Sequence, residues 1–235
     1  MADDLADDIP DEISVEVDHV FVSCAVGAPE GDRLIELGLV EGSPNRHPGQ
    51  GTANRRFFFA NAMLELIWVH DPAEAQSDAE PARRLHLWER WAGRGGSACP
   101  FGVCLRPTAG TSDVAPFPAW EYRPSYAPTG MPVANNSTVD TEPLVFYIPI
   151  HRRMDTAPAD RREPYEHALP IRELTSARIF SPGAAAPSPA MLATLQTGAF
   201  SFEPAPRPLL ELGFDDNRQG RRADLRPALP LVLLW

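Results

Sequence analysis

Arg46-His47-Pro48-Gly49-Gln50-Gly51-Thr52-Ala53-Asn54-Arg55-Arg56 runs into Phe57-Phe58-Phe59 and then into Met63-Leu64-Glu65-Leu66-Ile67-Trp68-Val69. Two glycines and a proline stand among His, Gln, Thr, Asn and Arg, and the two apolar runs that follow have the length of strands. The stretch reads as a buried hairpin with hydrogen-bonding groups at its mouth, which is how a small-molecule pocket is laid out. The turn is expected over 60–63, where Asn61 tolerates a positive φ. With Asn61 and Ala62 as the loop residues, Phe59 faces Leu64, Phe58 faces Glu65 and Arg56 faces Ile67. Glu65 then shares a face with Phe58, Arg56 and Asn54. A carboxylate on such a face needs a counter-charge, a proton or a metal.

Working outward, 15–25 is a β-branched and aromatic strand with His19, Phe21 and Ser23 on one face. Residues 30–39 carry Leu34, Ile35, Leu37 and Gly38 at helical spacing after Pro29, so a short amphipathic helix ends at a glycine. The first unit, 14–70, is therefore β-α-β-β-β. A polar linker and a short helix over 84–91, with Leu85, Trp88 and Trp91 on adjoining turns, occupy 71–98. Residues 99–166 read as an extended, proline-punctuated insert with strands near 101–106 and 144–150, and with Trp120, Tyr122 and Tyr126 between them. From 167 to 235 the order strand, helix, strand, strand, strand returns, and the repeated order suggests a second module. The acidic segment 1–13, with Asp3, Asp4, Asp7, Asp8 and Asp11, is expected to be disordered.

The hairpin together with the strand Asp18-His19-Val20-Phe21-Val22 resembles the glyoxalase-like branch of the vicinal oxygen chelate superfamily, which also contains glyoxalase I, extradiol dioxygenases and bleomycin-resistance proteins. The resemblance implies an α+β fold of two β-α-β-β-β modules, here joined by the proline-rich insert. It also implies metal ligands from the first and last strands of each module. In the first module these are His19 and Glu65, which suit Zn²⁺, Mn²⁺, Fe²⁺ or Ni²⁺. The matching places in the second module fall near Ser176 or Ala177 and near Val232 or Leu233, which are poor ligands. A third ligand must come from His47, His151, His167 or Glu211.

The implied function is binding of a small oxygen-bearing substrate by a metal-dependent lyase, isomerase or dioxygenase, with Glu65 as ligand or general base. A substrate clamp is expected from His47, Gln50, Gly51, Thr52, Asn54 and Arg56, through side chains and backbone N–H groups. Trp120, Tyr122 and Tyr126 form its roof. The alternative is a metal-free sequestering protein similar to the bleomycin-resistance members, with Glu65 paired to Arg56 and His19 bonded within the core. A third reading makes the paired sheets mainly a homodimer interface.

Composition narrows the rest. The 235 residues carry a net charge of -11, which argues against nucleic acid and against anionic membrane surfaces as partners. All 21 basic residues are arginine, so a Schiff-base lysine and a P-loop lysine are excluded. No apolar run has the length of a membrane span and the first residues are acidic, so a cytoplasmic protein is expected. Cys24, Cys99 and Cys104 lack C-x-x-C spacing and read as reduced, buried thiols. The chain contains no G-x-S-x-G, H-E-x-x-H or G-x-G-x-x-G motif.

Overall fold

The computed structural model describes residues 14–78, 81–108, 111, 113–126 and 130–235. The segment 1–13, expected to be disordered, lies outside these residues. Among the described residues the first sheet has eight strands: β1 (Val15–Ser23), β2 (Asn45–His47), β3 (Thr52–Phe58), β4 (Met63–Val69), β5 (Phe101–Pro107), β6 (Ala119–Tyr122), β7 (Met131–Ala134) and β8 (Leu144–Tyr147). Their order is β2-β3-β4-β1-β5-β8-β7-β6, and the sheet is curled. β1 lies parallel to β4 and antiparallel to β5, and β5 lies parallel to β8. Each half thus starts at the centre with one strand and returns through a meander to a strand parallel to it.

This differs from the expected module arrangement. The segment read as an extended insert supplies the second half of the sheet, and the segment after 171 forms a sheet of its own. The reason lies in the prolines. Those between β5 and β6 exclude a helix where the first half has one, and Pro132 sits within β7 near the sheet margin, where proline is tolerated. The repeat is therefore hidden in composition while present in pairing.

The second sheet contains β9 (Leu174–Ser181), β10 (Ser201–Pro204), β11 (Leu209–Phe214), β12 (Arg222–Asp224) and β13 (Leu231–Leu234) in the order β10-β9-β11-β13-β12. The expected strands and the helix, Pro189–Leu195 after β9, follow in order, and β12 is a further strand that the sequence reading did not include. However, β9 pairs with β10 in parallel and with β11 antiparallel, so its strand order is not that of β1 to β4.

Strand alternation divides the first sheet cleanly. Val20, Val22, Phe57, Leu64, Leu66, Val103 and Leu105 face one core shared with Ile179, Leu210, Leu212 and Leu231 of the second sheet. His19, Phe21, Glu65, Ile67, Cys104 and Phe146 face the other way, and Leu85 and Leu87 cover part of that surface. The two sheets are also pinned by Asn61 at the hairpin turn. Its amide donates to the carbonyl of Leu174 and accepts from the Leu174 N–H, both at 2.8 Å.

The helix α1 (Asp32–Glu36) ends as expected before Gly38, whose φ of 101° needs a glycine. The single helix expected over 84–91 is instead a 3₁₀ turn, Pro81–Leu85, and a helix, Leu87–Ala92. His86 separates them at a φ of 53°, with its ring 3.0 Å from Asp140. No helix among the described residues is long and apolar enough to cross a membrane.

Candidate functional site

The expected hairpin forms, with Phe58 opposite Met63, Arg56 opposite Glu65 and Asn54 opposite Ile67. The pairing is offset by two residues from the two-residue loop read in the sequence, because Phe59, Ala60, Asn61 and Ala62 all lie in the turn, closed by the Phe59 N–H on the Ala62 carbonyl. An even offset preserves faces. Asn54, Arg56 and Phe58 still share the face of Glu65.

That face lines a cavity of about 190 Å³. His19 from β1, His47 from β2, Asn54 and Arg56 from β3, Glu65 from β4 and Cys104 from β5 reach it, with Tyr126 at its edge. Phe21, Met63, Ile67, Leu87, Met131 and Phe146 make the rest of the wall apolar.

Glu65, only 5% exposed, is the centre of the polar part. Its Oε2 is 4.0 Å from His19 Nε2 and its Oε1 is 3.8 Å from His47 Nε2. The Asn54 amide donates to Oε1. The far nitrogens of both imidazoles are held. His19 Nδ1 is 2.7 Å from Asp18 Oδ1, and a carboxylate there requires an N–H, leaving Nε2 as the nitrogen that can take up a proton or a cation. His47 Nδ1 is 2.9 Å from Thr52 Oγ1, whose own proton goes to Gln50 Oε1 at 2.8 Å, so Nδ1 again carries the hydrogen. Burial holds the His47 pKa below the usual imidazole value despite the Glu65 charge, which favours its neutral form.

Asp18 and His19 are adjacent in sequence and yet bonded to one another because the β1–β5 ladder skips a residue between Val17 and His19, a bulge that re-aims the side chain. Arg106, fully buried, donates from Nη1 to Asp18 Oδ2 at 2.9 Å. Burial pushes the Asp18 carboxyl up, but the His19 ring and then Arg106 outweigh it and hold its pKa below the ordinary carboxylate value. Burial also opposes charge on His19, while the Asp18 carboxylate bonded to it brings its pKa above the usual range. The Cys104 thiol is pushed up by burial. Asp18, His19 and Cys104 each offer a ligand atom within 4.8 Å of the others.

The expected ion pair between Arg56 and Glu65 does not form. Arg56 Nε donates to the Ser43 carbonyl at 2.6 Å, Nη2 is 3.4 Å from Glu163, and the guanidinium lies 5.0 Å over the Phe58 ring. Directly opposite in the ladder, the arginine is long enough to pass Glu65 and reach the sheet margin. Denaturant unfolding of Arg56→Ala, Glu65→Leu and the double variant is expected to be additive within about 0.5 kcal/mol. A coupling of several times that size would show that the two charges pair in solution.

Five of the residues expected to clamp or roof a substrate reach the cavity. Gln50, Asn54, Arg56, His47 and Tyr126 line the cavity, and the Tyr126 ring packs 5.2 Å from that of His47. Thr52 does not line the cavity and bonds the far nitrogen of the His47 ring instead. Gly49 and Gly51 take φ of 81° and 67°, but the N–H groups here serve the protein: Gly49 donates to Glu74 at 2.6 Å and Gln50 to the His47 carbonyl at 3.0 Å. A Cβ on Gly51 would press on the Asp71 carbonyl and lie 2.7 Å from the Ala75 nitrogen, so the glycine is required by the turn itself. Trp120 lies outside the cavity, under the Arg84 guanidinium at 4.0 Å and bonded to Ser137 at 3.1 Å. Tyr122 is buried in the adjoining apolar cluster.

Of the other histidines and carboxylates considered as a third ligand, His151 bonds to Asp113, His167 to the Phe58 carbonyl, and Glu211 pairs with Arg178 on the second sheet. His47 is the one brought to Glu65. Asp18, Arg106 and the cavity role of Cys104 were not visible in the sequence. The signal for them is the β1–β5 register, which sets Cys104 directly opposite His19. All three cysteines are free and buried, as expected.

No protein-family model matches the chain, and no curated protein matches it either. Among solved structures the chain is similar to a hypothetical protein from Staphylococcus aureus, with a TM-score of 0.51, 10% identity, and coverage of 93% of this chain and 98% of that one. A xylose isomerase-like TIM barrel/4-hydroxyphenylpyruvate dioxygenase fusion protein gives a TM-score of 0.48 at 12% identity, covering 89% of this chain and 37% of that one. A triple mutant of 4-hydroxymandelate synthase from Streptomyces coelicolor gives 0.41 at 12% identity, covering 87% and 74%. The first of these likenesses speaks to fold alone.

Proposed function

We propose that the cavity is the active site of a metal-assisted enzyme of the vicinal oxygen chelate type, acting on a small oxygen-bearing substrate by lyase, isomerase or dioxygenase chemistry. One observation carries this reading. Two imidazole Nε2 atoms approach one buried carboxylate at 3.8 and 4.0 Å, too far to hydrogen-bond directly; His47, held neutral by burial, offers a lone pair there, and the proton on His19 is what an ion would displace. Such a group attracts a cation.

Imidazole and carboxylate are donors that a divalent metal takes; among the described residues the ligand atoms that already lie within 4.8 Å of one another are those of Asp18, His19 and Cys104, so His19, His47 and Glu65 would have to draw together around an ion. His19, His47 and Glu65 would hold it, and Asp18, Thr52 and Asn54 supply the outer hydrogen bonds that orient metal-binding side chains. Zinc, manganese, iron and nickel all accept imidazole and carboxylate. When bound, the ion would polarise a substrate oxygen. The remaining work belongs to the chain. Gln50 and Arg56 offer polar contacts to the ligand, Phe21, Ile67 and Phe146 exclude water from its apolar part, and Glu65 is the base within reach of a substrate proton.

A metal-free binding protein similar to bleomycin-resistance proteins is the second reading, favoured by the raised pKa of His19, since a proton can also answer the charge of Glu65. Metal content decides between them. Protein purified without chelators is expected to hold about one divalent ion per chain, lost in His19→Ala and in Glu65→Ala with the far-ultraviolet circular dichroism unchanged. Equal metal content in the parent and both variants would end the metal assignment.

A further inference from the structure

The guanidinium of the buried Arg90 is held by the carbonyls of Glu142, Ser137 and Val139, and Arg222 and Arg226 pair with Asp224. The sulfur beside His19 is different. Cys104 sits on β5 opposite His19 in an antiparallel pair, so both side chains leave the sheet on the cavity side. Its thiol makes a long contact, 3.8 Å, with the Leu105 carbonyl and lies within 4.8 Å of ligand atoms of His19 and Asp18. Asp18 is not a donor to a metal here, because Oδ1 is committed to His19 and Oδ2 to Arg106. That leaves an imidazole and a sulfur side by side, with Glu65 lining the same cavity.

Resting on the metal reading above, we propose that Cys104 is a thiolate donor completing the site of His19 and Glu65, and that the resident ion is therefore of the zinc class. On coordination the S–H bond breaks, its proton passes to the buffer, and the electron pair it leaves on sulfur is shared with the cation. Thiolate with imidazole selects zinc over magnesium or manganese, and zinc has no redox chemistry. The reaction classes then reduce to those that need only a polarised oxygen and a base, an isomerisation or a lyase step, and oxygen-activating ring cleavage drops out.

Cobalt(II) is the probe, added to the full chain in one equivalent. The expected spectrum has visible d–d absorption together with an intense near-ultraviolet thiolate-to-cobalt band. Cys104→Ser should lose that band while keeping d–d absorption, and should bind zinc more than about 100-fold more weakly, since even outer-shell partners are worth 10–100-fold. Cys99→Ser should keep the band. A parent spectrum with His19-dependent d–d absorption and no thiolate band overturns the role of Cys104 and leaves the metal reading standing. A thiolate band that survives Cys104→Ser also overturns it. A parent protein that takes up no cobalt overturns both. The parent spectrum needs no variant to fold, so the question remains answerable if Cys104→Ser does not.

Discussion

Arg106→Met is expected to cost about 3 kcal/mol of folding stability, the low end of what stranding one partner of a buried ion pair costs. The side chain is fully buried and holds Glu16 at 2.9 Å, Asp18 at 2.9 Å and the Arg152 carbonyl at 3.1 Å. Methionine fills the volume and supplies none of these donors. Asp18 keeps its bond to His19, which is why the low end applies. The pH dependence has a definite sign. The Asp18 pKa is depressed in the folded state, so its contribution is fully present above the ordinary value of 3.8 and is lost as pH falls through the folded value. Without Arg106, burial counts for more and the folded pKa rises toward or past the unfolded value, so Asp18 loses its stabilising contribution and the cost of Arg106→Met should be smaller in acid than at pH 7. Arg106→Met with Asp18→Asn should recover part of the loss, because no charge is then stranded. Urea unfolding near pH 7 and pH 4 measures all of this. A loss below about 1 kcal/mol in Arg106→Met would mean that solvent or rearrangement satisfies Asp18, and the bulge would not be an electrostatic anchor.

Local signals in the sequence carried the first half of the sheet. Alternation in 15–25, the glycine stop at Gly38 and the apolar runs on either side of Asn61 each rest on nearest-neighbour geometry, and each reappears in the structure. The same locality explains the placement of Glu65 on the face of Asn54 and Arg56, since an offset of two residues cannot change a face. Pairing between distant strands is a different matter. β1 and β5 are separated by 77 residues from Ser23 to Phe101 in which nothing local says they will meet, and the prolines after β5 erase the helix that would have marked a second module. Cys104 and Arg106 were consequently invisible as partners of His19 and Asp18. Arg56 misled for another reason: ladder position fixes which residues are opposite, but a long guanidinium chooses among acceptors several ångströms apart, and Ser43 and Glu163 are offered by loops.

Divalent-ion affinity is expected to climb by up to about 100-fold per pH unit near neutrality, because two protons must leave as the ion enters. The first is on His19. Burial disfavours its charge, yet the Asp18 carboxylate bonded to its ring raises its pKa above the ordinary 6.5, so proton and metal compete for Nε2 at neutral pH. The second is on Cys104, whose thiol burial keeps protonated. His47 adds nothing, since burial lowers its pKa and its Nε2 is already free. Below both raised values each proton contributes about tenfold per unit, and the dependence flattens only as pH passes them, so affinity is weak in acid and strong in base. Zinc titrations by calorimetry between about pH 6 and pH 8, in two buffers of different ionisation enthalpy, count the protons released. Cys104→Ser should halve that count and reduce the rise to about tenfold per unit. An affinity independent of pH over this range would show that the ion does not displace a proton from His19, and the shared place between His19 and Glu65 would belong to the proton alone.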